Sequence, residues 1–472
     1  MAKQHNASDI TLRRLSIRSA SGEYDLNPHL QELSIFENIF QPALTAKVIV
    51  SDSHNMPYKL PIVGEETVDI DISLSGFSDG HDSKIWSITP PPFHVNALTQ
   101  RDHFMPKAHR FSMDLISEKY MSSLHSKVSK SYNNNTISDI VTDIYYNYIH
   151  DDVYNLRIEP TIGNERVIIP NLSPIDAINW LSKRAMAKTS ISVNYVYYET
   201  VSGSYFVSLN SLAKQEPVFT FIQKPRVGDA TGAEDFQKNE MKIAGFEFIK
   251  QFDKEDNIRR GVYSSKLVTH DIVTKKIRQY EYGGLEEWEA FHHCGNFPPL
   301  SNSDVETRSS KVKRTSFAPY VLNKTNNKID STSLNGMVDS RIEFFPKHNN
   351  MYALSANDIY DNKVENWKLR RNNHIGVYDG VSLALKVSGN SALRVGQTVN
   401  VVIPSPEPTD TDKKTDVVDD KYLSGKYMIT SIQHVFSRLK SNDPKISYNM
   451  VVEVSKDGYD EHVPVRKSRK ES

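Results

Sequence analysis

The sequence predicts a mainly β protein interrupted by an α+β insert. Three observations carry this. Val68, Ile70, Ile72 and Leu74 alternate strictly with Asp69, Asp71 and Ser73, the signature of a half-buried strand. The chain holds 23 Tyr and 19 Phe, residues that suit a pleated surface. Within residues 120–216 the apolar period changes from two to that of a helix.

Residues 1–119 read as short strands joined by Gly, Pro and Asp turns, the pattern of a barrel or sandwich. Thr11–Arg18 places Thr11, Leu15 and Ile17 on one parity, with Arg13 among them. After the Ser21-Gly22-Glu23 turn, Leu33–Phe36 leads into Pro42–Val50, where Leu44, Ala46, Val48 and Val50 alternate with Thr45, Lys47 and Ile49. Val68–Leu74 follows. Pro90-Pro91-Pro92 separates it from a last strand near Arg110–Ser117.

In the insert, Thr136 opens a helix with Asp139 at the capping-box position, followed by Ile137, Ile140, Val141 and Ile144 at helical spacing. A second helix starts at Ser173, with Pro174 at its first position and Asp176 near its positive end. Its stripe is Ile175, Ile178, Leu181 and Ala185. Val167–Ile169 reads as a short buried strand, and Ile191–Tyr198 with Ser204–Leu209 as a hairpin around Ser202-Gly203.

Residues 217–290 resume strands at Phe219–Ile222, Met241–Phe248, Gly261–Thr269 and Thr274–Tyr282. Residues 291–380 combine an extended arm over 296–335, rich in Ser, Asn, Thr and Lys, with a helix over Asn357–Arg371. Ile359, Val364 and Trp367 are that helix's expected buried positions. Residues 381–458 supply strands at Val381–Gly389, Gln397–Ile403, Lys426–Val435 and Ile446–Val454. A solvated, proline- and acid-rich excursion, Pro404–Asp420, interrupts them. The basic tail, 459–472, is expected to be disordered.

Charge and composition exclude several classes. The 57 Lys+Arg against 58 Asp+Glu argue against a globally basic nucleic-acid binder. A single cysteine, Cys294, excludes an internal disulfide framework and a thiolate zinc finger, and fits a reducing compartment. No apolar run approaches the ~18 residues of a membrane span. Met1–Asp9 is polar, so no signal peptide is expected. A hydrophobic content of 38% is low for a chain of 472 residues. It suggests several small cores, or surface that neighbours cover.

The search for chemistry finds no metalloprotease helix, phosphate loop or nucleophile elbow. His292-His293-Cys294 is the most metal-like cluster, but adjacent ligands diverge, so it reads as loop or packing residues. His103 and His109 flank Pro106 and lack further ligands. Glu65-Glu66 and Glu286-Glu287 are sequence neighbours, whereas glycosidase carboxylates must face one sugar from two sides. Asp69 and Asp71 read as a polar strand face rather than a cation site. The basic stretch Lys311, Lys313, Arg314, Lys324 and Lys328 lacks interleaved aromatics and reads as a solvated arm or protein contact. Trp180 and Trp367 read as core anchors. The sequons at Asn6, Asn134, Asn171 and Asn323 carry no weight without secretion. No catalytic, cofactor-binding or metal-binding residue is assigned.

Several stretches resemble the baseplate central hub family of contractile-tailed, T4-like bacteriophages. One is Leu33-Ser-Ile-Phe-Glu-Asn-Ile-Phe-Gln-Pro-Ala-Leu-Thr-Ala-Lys-Val-Ile-Val-Ser-Asp52. A second is Val167-Ile-Ile-Pro-Asn-Leu-Ser-Pro-Ile-Asp-Ala-Ile-Asn-Trp-Leu181, reading on to Ala185. A third is Arg260–Asp271, and Val387–Asn390, Arg394–Pro404 and Leu423–His434 complete the set. Their order and spacing cover residues 10–458.

The resemblance implies two tail-tube-like antiparallel β-barrels, with 1–119 as the first and 217–290 plus 381–458 as the second. It implies a homotrimer whose three pairs of barrels make a pseudo-six-fold ring, matching a three-fold central spike to a six-fold tail tube around a DNA channel. The implied partners are the spike, the first tail-tube ring, baseplate wedge proteins and the tape-measure protein. No cofactor, sequence-specific nucleic acid or membrane span is implied. The place would be the virion tail baseplate, assembled in the host cytoplasm. The alternatives are a glycan-binding or peptidoglycan-degrading tail enzyme, or the hub of a related injection machine.

Overall fold

Alternation in the sequence becomes alternation in burial. In the strand Thr67–Leu74, Val68, Ile70 and Ile72 are buried, while Asp69 meets Arg14 at 3.2 Å and also pairs with Arg18. The computed structural model describes residues 9–52, 56–60, 62–74, 87–105, 108–149, 156–190, 192–223, 241–284, 287–298, 321–322, 329–330, 341–348, 360, 362–378, 380–405, 419–438 and 446–461. The basic stretch Lys311–Lys328, Glu286, Ile359, most of the arm and acidic excursion, and nearly all of the tail lie outside them.

In chain order the first strands are β1 (Asp9–Ser19), β2 (Gly22–Asp25), β3 (Leu30–Asn38), β4 (Thr45–Asp52), β5 (Thr67–Leu74), β6 (Ser87–Ile88), β7 (Phe93–Met105) and β8 (Ala108–Ser117). The insert holds β9 (Ser131–Asn135), β10 (Leu156–Ile158), β11 (Glu165–Ile168), β12 (Tyr195–Thr200) and β13 (Gly203–Ser208). Then come β14 (Phe219–Ile222), β15 (Gly245–Lys250), β16 (Ser264–His270), β17 (Ile277–Gly283), β18 (Val321–Leu322), β19 (Ile329–Asp330) and β20 (Ile342–Pro346). The last four are β21 (Val381–Ser388), β22 (Thr398–Val402), β23 (Gly425–Arg438) and β24 (Ile446–Lys456). The helices are α1 (Met56–Lys59), α2 (Glu118–Leu124), α3 (Ile137–Ile144), α4 (Pro174–Ser182), α5 (Leu209–Ala213), α6 (Lys254–Arg260) and α7 (Val364–Val377).

The largest sheet has 14 strands, and its pairings close on themselves. From β23 they run through β3, β4, β8, β7, β5 and β1 to β24, which pairs back with β23. Beyond this cycle, β24 continues to β21 and β15, and β23 to β22 and β14. Residues 241–244 join those two flanks. Ile222 N donates to Met241 O at 2.7 Å, Ile243 N to Ile222 O at 3.1 Å, and Ala244 N to Lys386 O at 2.8 Å. A second cycle therefore shares β23 and β24 with the first. Strands from 1–119 and from 381–458 lie in one sheet and bury one continuous apolar cluster, from Leu15 and Val48 to Val399 and Val454.

The insert has its own core, centred on Ile140, Ile144, Ile178 and Phe206. Its helix starts are those the sequence marks. Thr136 Oγ1 accepts from Asp139 N at 3.2 Å, and Ser173 Oγ from Asp176 N at 3.3 Å. A third cluster packs Leu267 and Tyr282 of β16 and β17 against Val364, Trp367 and Leu369 of α7.

Three departures have physical reasons. β7 has no counterpart among the expected strands, because three register shifts against β8 break its alternation. α6 also has none, since it carries only one aliphatic residue, Ile258. Polar chemistry holds it instead: Asp253 caps it, Glu255–Arg259 and Asp256–Arg260 pair one turn apart, and Gly261 ends it at φ 71. Val167–Ile169 is only partly buried, because Ile168 faces outward.

A buried ion pair fixes the insert to the first cycle. Lys119 Nζ lies 3.7 Å from Glu199 Oε1, and both side chains are buried. Glu199 Oε2 accepts from Leu44 N at 3.1 Å and Ser117 Oγ at 2.6 Å. Glu37 on β3 accepts from Val201 N at 2.8 Å, and burial pushes its carboxyl up. Lys119→Met strands the Glu199 charge in the interior and should cost about 3–5 kcal/mol. The readout is the urea midpoint, where pairing it with Glu199→Gln should recover much of the loss.

Candidate functional site

Chemistry-bearing side chains converge where residues 288–297 meet the end of β24. Two glycines permit the approach: a Cβ on Gly295 would lie 2.2 Å from the carbonyl carbon of Gly458. Phe297 and Tyr459 exchange backbone hydrogen bonds of 2.8 Å there. Asp457, buried, accepts from Cys294 N at 2.8 Å and faces His293 Nδ1 at 2.6 Å. The other ring nitrogen of His293 lies 2.8 Å from Trp288 O, and its ring stacks on Trp288 at 3.5 Å. Both ring nitrogens of His293 thus face oxygen atoms.

α7 brings His374 to the same place. It is buried, its ring meets Phe291 edge-on at 3.7 Å, and neither ring nitrogen has a partner among the described residues. Burial, reinforced by His293 and Arg370, pushes its pKa down to about 3. A small cavity lies between them, lined by Asn194, Asn210, His292, His374, Tyr378 and Asp457. His292 N donates to Asn210 Oδ1 at 2.7 Å, which ties the seam to α5 of the insert. Burial pushes the Cys294 thiol up, away from the reactive thiolate.

One turn before His374 sits Arg371, half-buried. Its guanidinium donates to the carbonyls of Ser182 at 2.9 Å, Val193 at 3.1 Å and Tyr195 at 3.1 Å. Ser182 is the last residue of α4, so the charge lies at that helix's negative end. Burial lowers the guanidinium pKa to about 10. A second buried histidine, His434 on β23, lies 2.8 Å from the Tyr448 hydroxyl, and burial pushes it down to about 3.

Of the residues singled out in the sequence, His292, His293 and Cys294 are brought together with Asp457 and His374. Sequence reasoning missed those last two and Arg371, because they lie 77–165 positions away and no local pattern marks them. His103 and His109 pair directly across the β7–β8 hairpin. Glu66 caps its own turn, accepting from Val63 N and Gly64 N, while Glu65 is exposed. Glu287 forms a two-pronged pair with Arg370 at 2.7 and 3.0 Å. Asp71 accepts from Thr89 Oγ1 at 3.0 Å. Trp367 is buried, and Trp180 packs beneath Arg184 at 4.2 Å. Asn134 and Asn171 adopt left-handed φ of 64° and 55°. Among the described residues no group of three His, Cys, Asp or Glu could hold a metal ion. The seam joins chain segments and leaves both ring nitrogens of His293 engaged.

No family model matches the chain, and no curated protein matches it. Among solved structures its fold is similar to that of the 43 kDa tail protein of prophage MuSo2 from Shewanella oneidensis. That likeness has 11% identity and a TM-score of 0.50, over 95% of this chain and 99% of the other. A tail protein from Neisseria meningitidis aligns at 9% identity and TM-score 0.46, over 94% and 96% of the two chains. An E. coli component of the type VI secretion system, described as similar to T4 bacteriophage tail proteins, aligns at 8% identity and TM-score 0.37, over 97% and 79%. The structural neighbours are phage-tail and baseplate proteins and a secretion-system counterpart.

Two predictions follow from the seam's electrostatics. His374 titrates near 6.5 when unfolded and near 3 when folded, so the folded state binds fewer protons. Its contribution is complete above about pH 6.5 and is lost as pH falls towards 3, at about 1.4 kcal/mol per unit. His374→Leu should therefore leave stability at pH 7.5 within about 1.5 kcal/mol of the parent and blunt the acid loss, read from urea midpoints at pH 7.5 and 5.0. Arg371→Met strands three carbonyls and should cost about 2–4 kcal/mol by the same readout, with Arg371→Lys intermediate.

Proposed function

We propose that this chain is a non-catalytic structural hub of a phage contractile-tail baseplate. The observation that carries the reading is the pair of closed pairing cycles in one chain, sharing β23 and β24. On this reading each cycle is a tail-tube-like barrel, the first built largely from 1–119 and the second from 217–290 and 381–458. The shared strands hold the two at a fixed angle. Three copies then offer six similar units to the tail tube while keeping three-fold symmetry towards a central spike. The end-to-end likeness in fold to a prophage tail protein supports the same reading.

The 120–216 insert and the 291–380 segment would decorate the ring and meet baseplate neighbours. The first tail-tube ring and the tape-measure protein would lie along its axis. A near-neutral chain suits a passage through which DNA moves without being held. Exposed Phe248, Ile249 and Phe252, in and just beyond β15, provide apolar surface of the kind that obligate interfaces cover. The protein would belong to the virion tail, assembled in the host cytoplasm.

Light scattering should give a particle of three times 53.7 kDa, alone or on binding its spike, and electron microscopy a three-fold ring with six lobes. A strictly monomeric chain that fails to join a tail would reject the hub reading. Robust release of muropeptides from cell wall, abolished by one carboxylate substitution, would replace it with a tail enzyme.

A further inference from the structure

The β16–β17 hairpin presents an unusual surface. Residues 272–279 are exposed throughout, and three of them are aliphatic: Ile272, Val273 and Ile277, at 68%, 69% and 63% exposure. Lys275, Lys276 and Arg278 stand among them, with no ion-pair partner among the described residues. The nearest acid, Asp271, does not neutralise them. Its Oδ1 accepts from Val273 N and Thr274 N at 3.0 Å each and faces His348 Nδ1 at 3.1 Å. Those contacts, Thr274 foremost, hold its carboxyl well below the usual range.

Register extends the apolar surface away from the tip. Ile277 pairs with His270, which pairs with Pro346. Two residues along, Val268 pairs with both Gln279 and Phe344, and after it Lys266 with both Glu281 and Ile342. These residues share one parity, so they share the face turned away from α7. Phe344 is 76% exposed on it. β17 and β20 are the two outer strands of this three-stranded sheet.

We propose that this sheet face and hairpin tip dock a protein partner whose apolar patch is bordered by carboxylates. The aliphatic centre supplies burial, and the three unpaired cations crowd the hairpin tip, Arg278 on the opposite parity with Thr269, so they select carboxylates that wrap the tip. A protein fits better than a lipid surface. Lys266 and Glu281, 3.8 Å apart, sit within the face and would have to be desolvated by a membrane, and the tip carries no Trp or Tyr to anchor at a headgroup layer. The docking face is distinct from the two cycles of the large sheet, so it stands whether or not three copies assemble.

The test uses the full chain and a fluorescent synthetic peptide of alternating glutamate and valine, followed by anisotropy. Binding should weaken about tenfold or more on raising salt from about 50 to 500 mM. The variant K275E/K276E/R278E, and separately Phe344→Ser, should each lose about tenfold in affinity with circular dichroism and particle mass unchanged. Unchanged mass separates this result from failure of the hub reading. Equal binding by the triple variant, equal binding of a lysine–valine peptide, absence of peptide binding, or co-sedimentation with phosphatidylglycerol vesicles instead would each overturn the proposal.

Discussion

The large sheet depends on one pair of strands, β23 and β24, serving two pairing cycles. β23 is 14 residues long and changes partner midway. Met428 and the residues before it face β22, and Ser431 to Ser437 face β3. The handover falls at a bulge between Ile429 and Ser431, where Thr430 O accepts from Ile39 N at 3.0 Å. A bulge bends a strand and raises its twist, which is what a strand needs to leave one curved wall for another. β24 does the same, pairing β21 along most of its length and β1 at Asp9 and Ile10. The first cycle cannot close until residues 425–456 arrive, so its topology rests on contacts more than 400 positions apart.

Where the insert and α7 meet their neighbours, polar groups add direction to apolar contacts such as those of Val196, Tyr198 and Leu212 with the large core. Lys119 and Glu199 tie the insert to β4 and β8, Arg371 ties α7 to the end of α4, and Asp457 ties residues 293–294 to β24. Apolar contacts are non-directional, whereas a half-buried guanidinium aimed at three carbonyls fixes one arrangement. One large cluster runs through the 14-stranded sheet, and two smaller ones, in the insert and under α7, are linked to it by charged and hydrogen-bonded joints as well as apolar contacts.

The same economy bears on function. Among the described residues His293, Cys294, His374 and Asp457 gather at a seam, where both His293 ring nitrogens face acceptors and both His374 ring nitrogens are buried. Apolar surface is also left open on strand edges and faces: Phe248 and Phe252 near β15, Phe344 on β20. Such surfaces suit association.

The sequence by itself determined the elements with local signatures. Alternation placed β4, β5 and β21, and side-chain caps placed the starts of α3 and α4, because burial period and capping act over a few residues. It also carried the cap, ion pairs and terminal glycine of α6, which a search for apolar stripes overlooks. β7 was hidden because its bulges interrupt the period. Of the seam, only His292, His293 and Cys294 were legible, as a cluster without a purpose. Asp457, His374 and Arg371 acquire their roles from partners that no spacing rule connects. Tertiary structure alone decided that β23 and β24 belong to two cycles at once, because strand pairing is a choice among distant edges, settled by register and twist rather than by local pattern.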